Sequence, residues 1–250
     1  MPSAFRPPWL LALLAAMGCA SPQLVDPDIV RPEPGQPILK KLPGPMLGPF
    51  ESYADALIAA CTKIFSKPRA SAGRQRHTES GTFWRVSSEY CAWVYYTPDG
   101  KYRVSKLTDQ STVDPLHRSK TCLLPSEVED SNYPAGGINY VYALHNHPSG
   151  TDLSRDDIGF IVAEGALHGF EFQTREGTVR LSIVAFFAHD AAKPTCDGFH
   201  QYVPVTGQLM RWTAERGRWS CRQTGRVMWN GNATDFYVQS ASGSCFEGTP

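Results

Sequence analysis

The sequence INYVYALHNHPSGTDLSRDD, residues 138–157, decides the fold that we predict for this chain. Its first part, residues 138–144, is apolar and rich in β-branched and aromatic residues, which predicts a strand. The residues that follow, 158–167, predict a helix. The polar cluster between them is therefore expected at a strand-to-helix junction.

This junction brings together side chains that suit a metal ion. Alternate side chains of an extended backbone share a face, so His145 and His147 point the same way. Ser154 and Asp157 are three residues apart at the start of the helix and lie near each other. The pair also has the spacing of a helix capping box, which is compatible with a metal role because the helix start fixes Asp157. Two imidazoles and a carboxylate, with one position left for water, are ligands that zinc prefers.

The motif H-x-H-P followed by S-x-x-D resembles the signature of the JAMM (JAB/MPN) zinc metallopeptidases. The words HNHPSG and SRDDI are especially similar to the RadC-type branch, and the resemblance extends over roughly residues 75–190. It implies an α+β fold, namely a JAB/MPN-like (cytidine-deaminase-like) α/β/α sandwich with a mixed sheet. The family usually has seven residues between the second histidine and the serine, whereas this chain has six, residues 148–153.

The same resemblance implies the roles of the site residues. His145, His147 and Asp157 would hold Zn²⁺, and the shorter loop leaves Asp156 and Asp152 open as alternatives to Asp157. Ser154 would donate a hydrogen bond to the developing oxyanion.

Family members carry a glutamate on an early strand that reaches the water bound by the metal. Glu89, which opens an aromatic and β-branched stretch, is the best match, whereas Glu79, Glu127 and Glu129 lie in loop-like sequence. Glu89 would take the water's proton, which zinc makes available near neutral pH, and pass it to the leaving amine. The alternative for Glu89 is a solvated carboxylate at a strand edge.

These residues predict a zinc-dependent peptidase or isopeptidase that acts on a peptide or protein substrate outside the cytoplasm. One alternative is a non-catalytic interaction module at the cell surface, and another is an effector against neighbouring cells or a host that keeps the peptidase chemistry. The 24 basic residues balance the 24 acidic ones. Because a nucleic-acid footprint needs a basic patch, we expect no nucleic-acid partner.

The first 19 residues resemble a secretory signal peptide. Arg6 is their only charged residue, and an apolar core at 9–17 is too short to span a bilayer. The end of this segment, AMGC, resembles a bacterial lipobox, so Cys19 would be acylated and would anchor the chain to a membrane. Ala20, rather than aspartate, follows it, which by resemblance to enteric lipoproteins favours the outer membrane. The alternative is ordinary cleavage nearby.

The remaining chain divides into three predicted parts. Residues 20–49 contain eight prolines and predict an extended tether. Residues 50–190 form the predicted catalytic domain, with a helix at 50–65, an insertion at 108–137 and a hairpin at 169–187. Residues 191–250 predict a small β-rich, disulfide-tied appendage, with short strands at 203–212, 226–230 and 235–239.

The chain has seven cysteines. Lipidation of Cys19 would leave an even number, which in an exported chain predicts up to three disulfides. Fifteen pairings are possible, and we favour Cys91–Cys122 and Cys221–Cys245. Cysteine metal ligands are disfavoured because the chain has no C-x-x-C pair. His117, His168 and His189 are predicted to be structural or surface residues. The six candidates for disulfides are Cys61, Cys91, Cys122, Cys196, Cys221 and Cys245.

Overall fold

The computed structural model describes residues 26–72, 85–116, 119–134, 136–215, 218–231 and 235–245. The predicted signal peptide, lipidation at Cys19, Glu79 and His117 lie outside these ranges.

A helix and most of the short strands come from the first half of the chain. In chain order these elements are β1 (Lys41–Gly44), β2 (Leu47–Phe50), α1 (Tyr53–Phe65), β3 (Cys91–Tyr96), β4 (Tyr102–Val104), β5 (Ser111–Asp114), β6 (Ser119–Cys122) and β7 (Glu127–Asp130).

The second half begins with the strand and helix that hold the histidine motif. Its elements are β8 (Asn139–Asn146), α2 (Arg155–His168), β9 (Glu171–Thr174), β10 (Gly177–Arg180), β11 (Ser182–Phe187), β12 (Gly198–Val203), β13 (Gln208–Glu215), β14 (Arg218–Trp229) and β15 (Phe236–Ser244).

A nine-stranded mixed sheet forms the centre of the molecule, in the order β15-β14-β13-β12-β11-β8-β3-β4-β2. Strands β8 and β11 run parallel, as expected for strands joined through a helix. The other neighbouring pairs in this sheet are antiparallel. The predicted α+β class and mixed sheet are confirmed.

Helices α1 and α2 lie on opposite faces of this sheet. Successive side chains of a strand point to opposite faces, and Val94 packs in the cluster that contains Leu57 of α1. Its neighbour Trp93 packs in the cluster that contains Ile158 and Ile161 of α2. One apolar core therefore lies under each helix, and the central sheet separates the two cores.

The predicted tether is wrong for the part that the structure describes. Strand β1 pairs with β7, β2 pairs with β4 at the sheet edge, and Leu42 is fully buried. The prolines suggested an unpaired linker, but proline is compatible with an edge strand, where an N–H group is not always needed.

The predicted C-terminal appendage is also corrected, because its strands continue the central sheet. Strand β12 pairs with β11, and β13, β14 and β15 follow by antiparallel pairing. This extension covers the edge that β11 would otherwise expose. The predicted strand at 203–212 spans the turn between β12 and β13, and the second half of the hairpin predicted at 169–187 is divided into β10 and β11.

Three disulfides connect these elements: Cys61–Cys196, Cys91–Cys122 and Cys221–Cys245. Both pairs that the sequence favoured are confirmed. The predicted insertion contains the β5–β6 hairpin and the strand β7. In the ranges that the structure describes, no helix has the length and apolar character needed to cross a membrane.

Candidate metal centre

Strand β8 brings the two histidines to the α2 side of the sheet. His145 lies opposite Cys91 of β3 and Ala185 of β11. Asn146 faces the other way, where its amide donates to the carbonyl of Ala70 and accepts from the backbone N–H of Tyr90. His147 follows the end of the strand and its N–H donates to the carbonyl of Phe186 at 2.8 Å. The predicted common direction of His145 and His147 is confirmed, since their Nε2 atoms are 2.8 Å apart.

The first turn of α2 fixes Asp157. Ser154 is the N-cap residue and forms a complete capping box with Asp157. The Asp157 Oδ2 atom accepts hydrogen bonds from the Ser154 N–H and hydroxyl, both at 2.7 Å. The Asp157 N–H donates in turn to the Ser154 hydroxyl oxygen at 3.1 Å. A local helix signal therefore sets the position of this carboxylate.

His145, His147 and Asp157 are buried and form a group that could hold a metal ion, with their ligand atoms all within 4.8 Å of one another. The Asp157 oxygens lie 3.3 Å from His145 Nε2 and 3.4 Å from His147 Nε2. Tetrahedral zinc with bonds of about 2.0–2.1 Å separates its ligand atoms by about 3.3 Å. The spacing and the chemistry of the donors therefore fit zinc.

Backbone contacts orient both imidazoles. The carbonyl of Thr151 lies 2.8 Å from His147 Nδ1, and His145 makes a hydrogen bond with the backbone of Val184. A carbonyl partner requires a proton on Nδ1 of His147, so its Nε2 is the atom left to bind a metal.

The electrostatics of the three residues are coupled. Burial lowers the pKa of His145, and Asp157 offsets only part of that effect. Burial also lowers the pKa of His147, but the hydrogen bond and charge of Asp157 outweigh it and raise the pKa to about 9. Burial disfavours the charged form of Asp157, yet the two histidines hold its pKa well below the ordinary value. The Asp157 carboxylate is therefore ionised and available as a ligand.

Glu89 lies buried near this group. Burial raises its pKa to about 8, with opposing effects from the charges of His147 and Asp157. It accepts a hydrogen bond from the backbone of Cys122, while its Oε2 atom has no hydrogen-bond partner among the described residues. The solvated strand-edge alternative is wrong, because Glu89 is 6% exposed. A buried carboxyl with an elevated pKa suits proton transfer near neutral pH.

The alternative acids have other positions. Asp152 is 89% exposed and lies 3.0 Å from Nδ1 of His200, whereas Asp156 is exposed near Thr121. Glu127 pairs with Lys41 at 3.1 Å, and Glu129 is exposed. By contrast, Asp157 contacts both imidazoles of the candidate metal centre, and Glu89 is buried where its charge interacts with His147 and Asp157. The hydroxyl of Ser154 is engaged with Asp157, so its predicted contact with an oxyanion remains a prediction.

A cavity of about 460 Å³ adjoins His145 and Asp157. Its walls come from the segment before β1, the connection between β6 and β7, and α2, and they are mainly apolar. The lining includes Ile38, Leu39, Leu124, Pro125 and Phe160.

Sequence reasoning missed Thr151, Val184 and the backbone of Cys122. Each acts through a main-chain group, which every residue type has, so the side-chain pattern contains no signal for it. The favoured Cys91–Cys122 pair gave the one indication of the contact between Cys122 and Glu89, because the disulfide brings Cys122 to the strand that follows Glu89.

Comparison with known proteins gives no match: no protein-family model fits the chain, and no curated protein and no solved structure is significantly similar to it.

Proposed function

We propose that this chain is a zinc-dependent hydrolase of the JAMM (JAB/MPN) type that cleaves a peptide or isopeptide bond. The observation that carries the proposal is the convergence of two imidazole nitrogens and a carboxylate at separations of 2.8, 3.3 and 3.4 Å in a buried site. The nearby Glu89 carboxyl, whose Oε2 has no partner in the described part of the chain, supports hydrolysis over a purely structural metal.

His145, His147 and Asp157 would hold the metal. When bound, zinc would supply Lewis-acid chemistry that favours attack by water near neutral pH. Glu89 would accept a proton from the attacking water at Oε2 and deliver it to the departing nitrogen. Ser154 keeps Asp157 oriented through the capping box, and its hydroxyl would rotate to reach an oxyanion.

The neighbouring cavity supports an extended peptide as the substrate. Residues 38–40 and 121–127, which lead into the paired strands β1 and β7, both contribute to its lining. Its apolar walls would bind side chains with little charge selectivity. This geometry accommodates either a main-chain peptide bond or a lysine isopeptide bond.

One observation favours the non-catalytic interaction module as second candidate. The Ser154 hydroxyl donates to Asp157 at 2.7 Å, so it serves the helix start without any substrate. A site that binds a metal without catalysis would need Ser154 only for this contact, which orients Asp157.

We also propose that the protein acts in the bacterial cell envelope, attached to the outer membrane through Cys19. The three disulfides support an oxidising compartment.

Zinc content tests the function. We would express residues 20–250 in an oxidising compartment, purify them without chelator and measure zinc by elemental analysis. About one zinc per chain is expected, and His147→Ala should lose it because a ligand is removed. The matched control, His189→Ala, changes an exposed histidine and should keep the metal.

Folded wild-type protein that binds no zinc when zinc is supplied would refute the hydrolase. Stoichiometric zinc without cleavage of any peptide or isopeptide library would favour the interaction module.

A further inference from the structure

A row of directly opposed residues runs across the sheet from the metal centre into the C-terminal strands. His145 lies opposite Ala185, Ala185 opposite His200, His200 opposite Arg211, and Arg211 opposite Arg222. The row therefore connects the candidate zinc ligand with two arginines on β13 and β14.

These residues lie on the face of the sheet that contains the metal centre. Their sequence neighbours Phe186, Phe199 and Trp212 pack in the core under α1. Because side chains alternate along a strand, Ala185, His200 and Arg211 point to the α2 side. Arg222 follows Cys221, which packs against the same α1 core, so it also points to the α2 side.

The two arginines border a separate cavity of about 280 Å³. Thr213, Ser220 and Cys221 complete its lining, which contains no acidic residue among the described ones. The hydroxyls of Thr213 and Ser220 are 2.8 Å apart. Two guanidinium groups and two hydroxyls are a donor set that suits a carboxylate.

Arg211 and Arg222 lie directly opposite each other on neighbouring strands, so their guanidinium groups border the same cavity. His200 lies between this pair and the metal centre, and the exposed carboxylate of Asp152 is 3.0 Å from its Nδ1 atom. The carboxylate-binding donors of the row are therefore the two arginines at its far end.

Arg211 is held in place by an aromatic ring. Its guanidinium carbon lies 5.0 Å from the centre of the Phe187 ring, and Phe187 is 1% exposed. A cation over a buried ring loses conformational freedom before any ligand binds. Arg222 is exposed on β14 and forms the outer side of the cavity.

We propose that the cavity between Arg211 and Arg222 binds a carboxylate of the peptide substrate, and this inference rests on the proposed function. Strands are about 4.8 Å apart, so Arg211 lies about 14 Å across the sheet from His145. At about 3.3 Å per residue, an extended peptide covers that distance in about four residues. The site therefore selects an acidic side chain or a chain terminus about four residues from the bond cleaved.

Binding of short fluorescein-labelled peptides tests this selection. Three peptides share a neutral sequence and differ only at the C-terminal end. The first ends in two aspartates and an amidated terminus, and the second ends in two asparagines and a free terminal carboxylate. The third ends in two asparagines and an amidated terminus, so it carries no carboxylate. Full-length protein with Glu89→Gln prevents turnover, and fluorescence anisotropy measures Kd. At least one carboxylate peptide should bind roughly tenfold tighter than the fully neutral one, with the difference falling as salt rises.

Arg222→Gln should remove most of this preference, and Arg222→Lys should retain part of it, because lysine keeps the charge without the fork geometry. The matched control is Arg226→Gln, which removes an exposed charge from the same strand. Its neighbour Val227 packs in the core under α2, so Arg226 points to the opposite face.

Equal affinity for the three peptides, or equal losses from Arg222→Gln and Arg226→Gln, would overturn the proposal. Since the readout is binding without turnover, this result is separate from zinc content and hydrolysis. If the protein binds stoichiometric zinc and cleaves peptides but shows no preference for a carboxylate, the proposed hydrolase function is supported and only the carboxylate site is rejected.

Discussion

Glu89 is a buried carboxyl beside the candidate metal centre. Its pKa rises to about 8 through burial, so it exchanges a proton near neutral pH. Glu89→Gln keeps the shape of the side chain and removes the proposed base, and we expect stoichiometric zinc with hydrolysis lowered roughly 10²–10⁴-fold. Elemental analysis and kcat measure the two effects.

The control for this variant is Glu129→Gln, which changes an exposed glutamate and should keep full activity. A Glu89→Gln protein that hydrolyses at the wild-type rate would show that another group is the base.

Asp157 is both the proposed zinc ligand and a member of the capping box, and its replacement should reveal both roles. Asp157→Ala removes the proposed ligand and half of the capping box. We expect zinc affinity to fall more than about a hundredfold and stability to fall by about 1 kcal/mol. Competition with a chromophoric chelator and thermal unfolding measure these changes.

Asp152→Ala and Asp156→Ala are the matched controls, because both remove exposed carboxylates of the same loop and helix start. If either one releases zinc while Asp157→Ala retains it, the ligand assignment is wrong.

The side chains of this site were predictable because local rules position them. Strand alternation aligns His145 with His147, and a capping box places Asp157. The direction of the Ser154 hydroxyl toward Asp157 also follows from that local signal. The contacts from Thr151, Val184 and Cys122 depend on the main chain of separate elements, and no residue pattern encodes them.

At the scale of elements, the segment before β1 is attached to the end of α1 by charge. Asp28 lies 2.6 Å from Lys63 and 2.7 Å from Lys67, and Asp26 lies 2.7 Å from Lys67. These lysines occupy the last turn of α1 and the loop after it, where a helix also favours positive charge. The hydrogen bonds from Lys63 and then Lys67 lower the pKa of Asp28 to about 2.

This pairing predicts a pH-dependent stability. Because the folded pKa of Asp28 is depressed, its contribution is present above about pH 4 and is lost as pH falls toward 2. Asp28→Asn should therefore lower the free energy of unfolding by about 1 kcal/mol at pH 7, with little effect near pH 2. Urea unfolding at several pH values measures the difference.

Glu33→Gln makes the same change of charge at an exposed position and serves as control. An equal loss of stability from both variants, or a loss that persists at pH 2, would contradict the role of the ion pairs.

Proline content misled the prediction for this segment. A proline-rich sequence predicts a tether because proline cannot donate to a ladder, but the ladder at β2 has a partner on one side only. The α1 helix was predictable because its buried residues follow the helical period over 13 residues. Whether a short strand docks depends on a distant partner, such as β7 for β1.

At the scale of the whole molecule, the central sheet is continuous from β2 to β15, so the C-terminal strands β12–β15 are integral to it. Removal of residues 191–250 would expose the edge of β11, leave Cys61 without Cys196 and remove the contacts of Arg155 with Phe236 and Asp235. We expect residues 20–190 alone to lack cooperative thermal unfolding and near-ultraviolet circular dichroism.

The full-length variant Cys61→Ala/Cys196→Ala separates the loss of the disulfide from the loss of the C-terminal strands. Its free energy of unfolding should fall by about 2–5 kcal/mol, but it should still unfold cooperatively. If the fragment 20–190 unfolds cooperatively, residues 191–250 form a separate appendage, as the sequence predicted.

The number of strands in this sheet could not be derived from the chain alone. The sequence of residues 191–250 predicts strands and a disulfide, both of which the structure contains. Whether such strands pack on a domain or extend its sheet depends on which edge is free, and that follows only from the complete topology.

The connectivity of the disulfides has a consequence for biogenesis. The Cys61–Cys196 bond encloses Cys91–Cys122 along the chain. If the chain is exported from its N-terminus, an oxidant that joins cysteines in order of emergence would link Cys61 to Cys91 and Cys122 to Cys196. Both links are wrong, so the cell would have to delay oxidation until β11 and β12 have formed, or shuffle the bonds with a disulfide isomerase. We expect the yield of active protein to depend on such an isomerase.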